Sequence, residues 1–215
     1  MIVTIDGPAG AGKSTVARML AEKLGFDFLD TGAMYRCVVL QGSRQEVDWR
    51  DDDVLAQIAT ELDLEFDGAL VLLAGEDVAS AIRSPEVTAL IHYAADNLRV
   101  REAMVTLQRK LASEDDVVTE GRDQGTVAFP EAECKIFLSA SAEERARRRV
   151  EQMRQAGKDV TTEEILEQQN LRDQQDEARE VGGLKAAVDA LHVITDGMRP
   201  FEVVEHLERL VRIRM

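Results

Sequence analysis

The stretch Ile2-Val-Thr-Ile-Asp-Gly-Pro-Ala-Gly-Ala-Gly-Lys-Ser-Thr-Val-Ala-Arg-Met-Leu-Ala-Glu-Lys-Leu24 decides the fold. Ile2 to Ile5 is a β-branched run, and Lys13 to Leu24 carries Val16, Leu20 and Leu24 at helical spacing before Gly25. Between them, Gly7 to Ser14 fits the pattern GxxxxGK[ST], directly after a predicted strand and directly before a predicted helix. In such a loop the glycines let successive N–H groups turn inward, the helix N-terminus favours anions, and the lysine bridges β- and γ-phosphates. A triphosphate is therefore expected on Gly7, Gly10, Ala11, Gly12, Lys13, Ser14 and Thr15, with Ser14 placed to hold magnesium directly or through water.

Working outward, Phe26 to Leu29 reads as a second strand, and Met34 to Leu40 as a helix ended by Gly42. Val117 to Thr119, Cys134 to Leu138 and Leu191 to Ile194 read as further strands, and Phe201 to Val211 as a closing amphipathic helix. Strands alternating with helices predict a doubly covered parallel sheet of five strands. The middle breaks the alternation. Val54 to Leu62 is helical in pattern, whereas Leu64 to Phe66 and Leu70 to Leu73 flank Asp67-Gly68-Ala69 as a hairpin, which predicts a small antiparallel insert. From Pro85 the helical spacing returns, with Val100, Met104, Leu107 and Leu111 on one face of a long helix. Residues 142–179 are highly charged and begin with Glu143, Glu144, Arg145, Arg147, Arg148 and Arg149; on composition alone this is a solvated helical surface.

The composition limits partners. With 45% hydrophobic and 31% charged residues in 215, the chain is long enough for one domain of moderate size with its own core. Its 26 basic and 41 acidic residues leave a net charge of −15, which opposes polyanions and disfavours nucleic acid. Cys37 and Cys134 stand far apart without metal-ligand spacing and are expected as buried apolar residues. No apolar run approaches the ~20 residues a membrane helix needs, so a cytoplasmic address without membrane partners is expected.

A phosphate loop does not specify what happens to the phosphate. Asn97 and Asn170 are each followed by leucine, which leaves no Asn-Lys-x-Asp guanine motif, and Gly182-Gly183 lies in Glu-Val-Gly-Gly-Leu rather than a transporter signature. The distinctive feature is a set of arginines beside element ends, Arg36, Arg101, Arg122, Arg172 and Arg179, which together suggest a second anion site.

The segments Gly-Pro-Ala-Gly-Ala-Gly-Lys-Ser-Thr (7–15), Asp-Thr-Gly-Ala-Met-Tyr-Arg (30–36), Gly-Glu-Asp-Val (75–78), Arg-Val-Arg-Glu (99–102), Gly-Arg-Asp-Gln-Gly-Thr-Val-Ala-Phe-Pro (121–130), Lys-Ile-Phe-Leu (135–138), Ser-Ala-Glu-Glu-Arg-Ala (141–146) and Arg-Asp-Gln-Gln-Asp-Glu-Ala-Arg (172–179) resemble, in that order, the bacterial cytidylate kinases. The resemblance covers nearly the whole chain, and Thr-Gly-Ala-Met-Tyr-Arg with Gly-Arg-Asp-x-Gly-Thr-Val is its most specific part. It implies an α/β P-loop kinase fold with a core at 1–30, 96–144 and 180–215. It further implies a CMP-binding lobe with the hairpin insert at 31–95, and an arginine-rich lid with flanking helix at 145–179. It implies transfer of the γ-phosphoryl group from ATP, with Mg2+, to CMP or dCMP. Residue by residue, Arg36 and Arg122 would hold the CMP phosphate, and Thr31, Arg101 and Asp123 would line the cytosine pocket. Arg172 and Asp176 would meet the ribose, while Arg179 would reach the transferring group beside Lys13. Arg145, Arg148 and Arg149 would close over ATP, with Arg148 and Arg149 counted as its ligands.

These residue types suit the reaction. The acceptor phosphate oxygen is already ionised near neutral pH, so in-line positioning and charge neutralisation suffice. A carboxylate at Asp123 accepts from the cytosine 4-amino group but meets a uracil 4-oxo group acceptor to acceptor. The chain departs from the resemblance at His92, where a serine is common, at Gln124 for methionine, Glu120 for aspartate, and Gly182-Gly183-Leu184 for a Pro-Leu pair. Rival readings are a kinase for UMP, AMP or shikimate, or a nucleotide-binding regulatory module. Asp123 and the arginine set weigh against them. A monomer is expected, because two lobes close more easily when neither is held in an interface.

Overall fold

The β-branched opening run forms a strand, and the computed structural model describes every residue except Ala69, Glu114, Ala156 and Glu180, together with the side chain of Asp67. In chain order the elements are β1 (Ile2–Asp6), α1 (Lys13–Leu24), β2 (Asp27–Asp30), α2 (Thr31–Arg44), α3 (Asp52–Thr60), β3 (Leu64–Asp67), β4 (Leu70–Leu73), β5 (Glu76–Asp77), α4 (Pro85–Asp96), α5 (Leu98–Leu111), β6 (Val117–Gly121), β7 (Cys134–Ser139), α6 (Ala142–Gln155), α7 (Thr162–Ala178), β8 (Leu191–Ile194) and α8 (Pro200–Arg212). They fall into two units, Met1–Phe28 with Asp115–Met215, and Leu29–Glu114.

The first unit is built on a parallel sheet of order β2-β6-β1-β7-β8. Val3 pairs with Val118 of β6 and with Cys134 of β7, and consecutive residues Val3, Thr4 and Ile5 are all buried, as befits a strand covered on both faces. Alternate residues Val3, Ile5, Ile136 and Leu138 pack with Val16 and Leu20 of α1 and Val203, Val204 and Leu207 of α8. From β1 the chain fills one side of the sheet with β2 and β6, then the other with β7 and β8. The carboxyl end of β1 is therefore the topological switch point, where open α/β sheets bind ligands. The charged stretch forms α6 and α7 around Ala146, Val150 and Ile165, and it buries Arg145, Gln169 and Asp176, so it is more than a solvated surface.

In the second unit the expected hairpin is present, with Leu64 opposite Leu73, and β5 adds a third antiparallel strand. Gly68 of its turn has φ +57°, and Ala69 lies outside the described residues. Two expectations are corrected. Gly42 does not end α2; it lies inside the helix, where an added Cβ would stand 3.0 Å from the Trp49 ring, so close approach rather than capping explains the glycine. The long helix from Pro85 is two helices, because Asn97 caps α5 by accepting from the Arg99 and Val100 amides while its own amide donates to the Asp52 carbonyl. Among the described residues no helix is long and apolar enough to cross a membrane.

Candidate active site

The loop after β1 leaves the sheet under tight constraint. Gly7 has φ +149°, and a Cβ there would stand 2.0 Å from the Leu138 carbonyl of β7, so no side chain fits. Gly12 caps α1 without a side-chain bond, which leaves first-turn N–H groups for an anion. Lys13 is 5% exposed, and its Nζ donates to the Pro8 carbonyl at 2.9 Å. Burial pushes its amine down to about 7; the positive charges of Arg122 and Arg172 act in the same direction, and Glu120 and Asp6 oppose them. Ser14 Oγ donates to Glu120 Oε1 at 2.7 Å, so the residue that departs from the family's aspartate still meets the loop's hydroxyl.

A second anchor comes from the last residue of β1. Asp6 Oδ1 accepts from the Gln124 amide and Oδ2 from the Gly125 amide, each at 2.8 Å. Burial raises its carboxyl to about 6 although both amides favour the charged form. The segment it grips is a π-turn, Gln124–Ala128, in which the Asp123 carbonyl accepts from the Val127 and Ala128 amides. Thr119 Oγ1 donates to Gln124 Oε1 at 2.9 Å, so the amide that stands for methionine is held by β6. Asp123 is buried at the head of this turn.

Arg122 and Arg179 meet on one carboxylate. Arg122 Nε lies 2.8 Å from Asp176 Oδ2, and Arg179 Nη1 lies 2.7 Å from Asp176 Oδ1. Burial alone would raise the Asp176 carboxyl, but Arg122, Arg179 and Arg172 together hold it below the ordinary range. Asp176, matched by resemblance to the ribose, therefore engages both oxygens with guanidinium groups here.

On α6, Arg145 Nη1 donates to the Ala9 carbonyl at 2.9 Å and Arg148 Nη1 to the Ala11 carbonyl at 3.4 Å, so both reach the phosphate loop's backbone. Arg148 also donates through Nη2 to the Thr195 carbonyl at 2.5 Å. Arg149 is exposed and donates to Gln152 Oε1, so it is not brought to the loop with the other two.

Within the second unit, Asp30 caps α2 through the Ala33 amide and lies 3.3 Å from Arg83, and Thr31 in the first turn is buried. Arg36 Nη1 donates to the Ile82 carbonyl and to Thr88 Oγ1. Arg101 is buried, donates to the Ala95 carbonyl and stands 5.9 Å over the Tyr35 ring. His92 is exposed, with Nδ1 at 3.0 Å from the Ala89 carbonyl and its ring 4.2 Å from that of Tyr93. Sequence reasoning missed Asp6, Gln169 and Asp173. The only local signal for Asp6 was a carboxylate ending a buried strand.

The cytidylate kinase family model matches residues 3–213. A cytidylate kinase of Rhodopirellula baltica is 52% identical over 212 residues, covering 99% of this chain and 93% of that one. One of Vibrio cholerae is 44% identical over 218 residues, covering 100% and 97%. Among solved structures, a shikimate kinase of Bacteroides thetaiotaomicron superposes with a TM-score of 0.50 at 15% identity, covering 99% of this chain and 98% of that one. An uncharacterized protein of Eubacterium ventriosum does so with a TM-score of 0.57 at 12% identity, covering 100% and 99%. These structural likenesses concern the fold alone.

Proposed function

The chain belongs to the cytidylate kinase family and transfers the γ-phosphoryl group of ATP to CMP or dCMP, giving ADP and CDP or dCDP, and we propose that it does so by in-line displacement at the residues described above. The observation that carries this reading is the gathering of Lys13, Arg122, Arg172 and Arg179 around the buried carboxylates Asp6, Glu120 and Asp176 beside the phosphate loop. Such a cluster places four basic side chains beside the loop, each held near a fixed carboxylate, so little reorganisation is needed when phosphate charge arrives and moves.

The triphosphate lies against Gly7, Gly10, Ala11, Gly12, Lys13, Ser14 and Thr15, and Lys13 leaves the Pro8 carbonyl for the β- and γ-oxygens. Arg148 extends the donor site from α6. Arg122 and Arg36 hold the acceptor phosphate, Arg179 the group in flight, and Arg172 with Asp176 the ribose. Thr31, Arg101 and Asp123 select cytosine, Asp123 by accepting from its 4-amino group. Because the acceptor oxygen is already anionic, no side chain takes its proton.

The residues present suit Mg2+. Ser14 Oγ and Glu120 Oε1 are hard oxygen donors already paired, and Mg2+ is bound by one or two protein oxygens together with substrate phosphates rather than by a full protein cage. Held there by Ser14 and Glu120, the ion would supply neutralisation of phosphate charge. The two buried thiols, with pKa values pushed up by burial to about 12 for Cys37 and about 11 for Cys134, suit a reducing cytoplasm. The protein acts there as a monomer.

The test is steady-state ADP formation from ATP and Mg2+ with CMP, dCMP, UMP or AMP, beside a control without acceptor. Fast turnover with CMP and dCMP, slow with UMP and negligible without acceptor is expected. Equal rates with UMP would overturn the role given to Asp123.

A further inference from the structure

α7 carries two residues assigned to the acceptor side, Arg172 and Asp176, with Arg179 as its C-cap, and between the first two stands Asp173. Asp173 Oδ2 lies 2.6 Å from Arg145 Nη1, and the two side chains are only 14% and 7% exposed. The other oxygen, Asp173 Oδ1, has no hydrogen-bond partner among the described residues, so Arg145 is the group that holds this buried charge. The same Nη1 donates to the Ala9 carbonyl of the phosphate loop, and Arg145 Nε donates to the Ala140 carbonyl at 3.2 Å. One helical turn before Asp173, Gln169 donates to the Arg145 carbonyl at 3.3 Å. Gln169 also presses on Gly10: a Cβ at Gly10 would stand 2.7 Å from Gln169 Nε2 and 3.3 Å from Arg145 Cβ. Thus one face of α7 reaches the donor loop through Arg145 and Gln169, while the adjoining face carries the acceptor-side charges.

We propose that Asp173 and Arg145 form a positioning relay that ties the helix carrying the acceptor-side residues to the phosphate loop, so that ATP in the loop tightens the binding of CMP. In this role Arg145, expected from the resemblance to close over ATP, acts instead through the Ala9 carbonyl and Asp173. Arg145 holds the phosphate loop at the Ala9 carbonyl, and Asp173 sets where the guanidinium, and therefore that part of the loop, sits relative to α7. Filling the loop orders its backbone and, through this fixed link, orders Arg172 and Asp176. The CMP that follows then meets an arrangement already formed, which is positive coupling between two sites. The inference rests on the acceptor assignment of the preceding section.

The test measures CMP affinity by calorimetry, with and without a saturating non-hydrolysable imido analogue of ATP and Mg2+, in wild type, Asp173→Asn, Asp173→Glu and Arg145→Lys. Wild type is expected to bind CMP at least tenfold more tightly when the analogue is present. Asp173→Asn should reduce that factor to threefold or less while leaving the dissociation constant of the analogue alone within threefold of wild type, and Asp173→Glu should restore most of it. A purely structural role would weaken both nucleotides and lower the melting temperature without removing the coupling. Arg145→Lys keeps a charge for Asp173 but cannot serve both partners with a rigid fork, and it carries the test if the asparagine variant does not fold. The relay is overturned if wild type turns over CMP but shows no coupling, or if the variants keep the wild-type factor. No CMP turnover by wild type would instead sink the acceptor assignment.

Discussion

Arg122 and Asp176 stand 54 residues apart in sequence and 2.8 Å apart in the fold, and the same carboxylate also holds Arg179. Removing the charge leaves two guanidinium groups facing each other around a buried amide. Asp176→Asn should therefore lower stability by about 3 kcal/mol, in the range for breaking one partner of a buried ion pair, and thermal unfolding checks it. The folded pKa of Asp176 lies below its unfolded value, so its contribution is present above pH ~4 and is lost as pH falls through the depressed folded value. Wild type and variant should accordingly converge in stability only in that acid range.

Lys13→Ala should cut kcat by about a thousandfold while the fold is kept, since it removes one prepositioned charge from the transferring group. Steady-state ADP formation and a melting curve, read together, separate these effects. A rate near wild type would remove Lys13 from the machinery.

ATP binding should take up a proton. The ligand-free Lys13 amine titrates near 7, chiefly because it is buried, so at pH 8 it is mostly neutral, and the phosphates restore its charge. Calorimetry in two buffers of different ionisation enthalpy should read an uptake approaching one proton at pH 8, less at pH 6, and none in Lys13→Ala. The same depression means that the unfolded chain binds the extra proton between about pH 7 and ~10.4, so this group makes the ligand-free protein more stable as pH rises through that window. Asp6 acts oppositely: with its folded value raised to about 6, its contribution is full below pH ~4 and lost as pH rises through 6.

Asp123→Ala should weaken CMP by ten- to a hundredfold, about 1–3 kcal/mol for a buried polar partner left unmatched, and leave the KM for ATP within twofold. Equal losses for both nucleotides would move the base pocket elsewhere.

Glu120→Gln should raise the Mg2+ concentration for half-maximal turnover by about tenfold, the scale expected when a partner of a metal-site ligand is altered. Titrating Mg2+ at fixed ATP measures it, and an unchanged requirement would leave Ser14 as a hydroxyl bonded to Glu120 for structural reasons only.

What the sequence made legible was local. Ile2 to Leu24 carried strand, loop and helix within one window, and the β-branched runs around Val118, Ile136 and Val193 located the other core strands. The misread points were decided by packing partners outside the local window of the pattern: Gly42 by the ring of Trp49, and the break at Asn97 by the Asp52 carbonyl. The same limit applies at the site. Lys13 and Ser14 were readable from their spacing, but the π-turn at 124–128 is held by Asp6 from 118 residues away, and no periodicity encodes that. Arg145 and Arg148 were readable as arginines of a charged helix. Their contacts with the carbonyls of Ala9 and Ala11 follow only from the packing of α6 on the loop.

Asp6 gives the order in which competence can arise during synthesis. The loop at 7–14 is made early and α1 can form beside it, yet the groups that hold the loop and Asp6 from outside are translated more than a hundred residues later: Glu120, the amides of Gln124 and Gly125, the Leu138 carbonyl and Arg145. These are contacts of high sequence separation, and closing them is the slow part of folding. A nascent chain on the ribosome therefore carries the phosphate-binding sequence long before the contacts that shape it exist, and ATP meets a formed loop only after the chain has grown past Arg145.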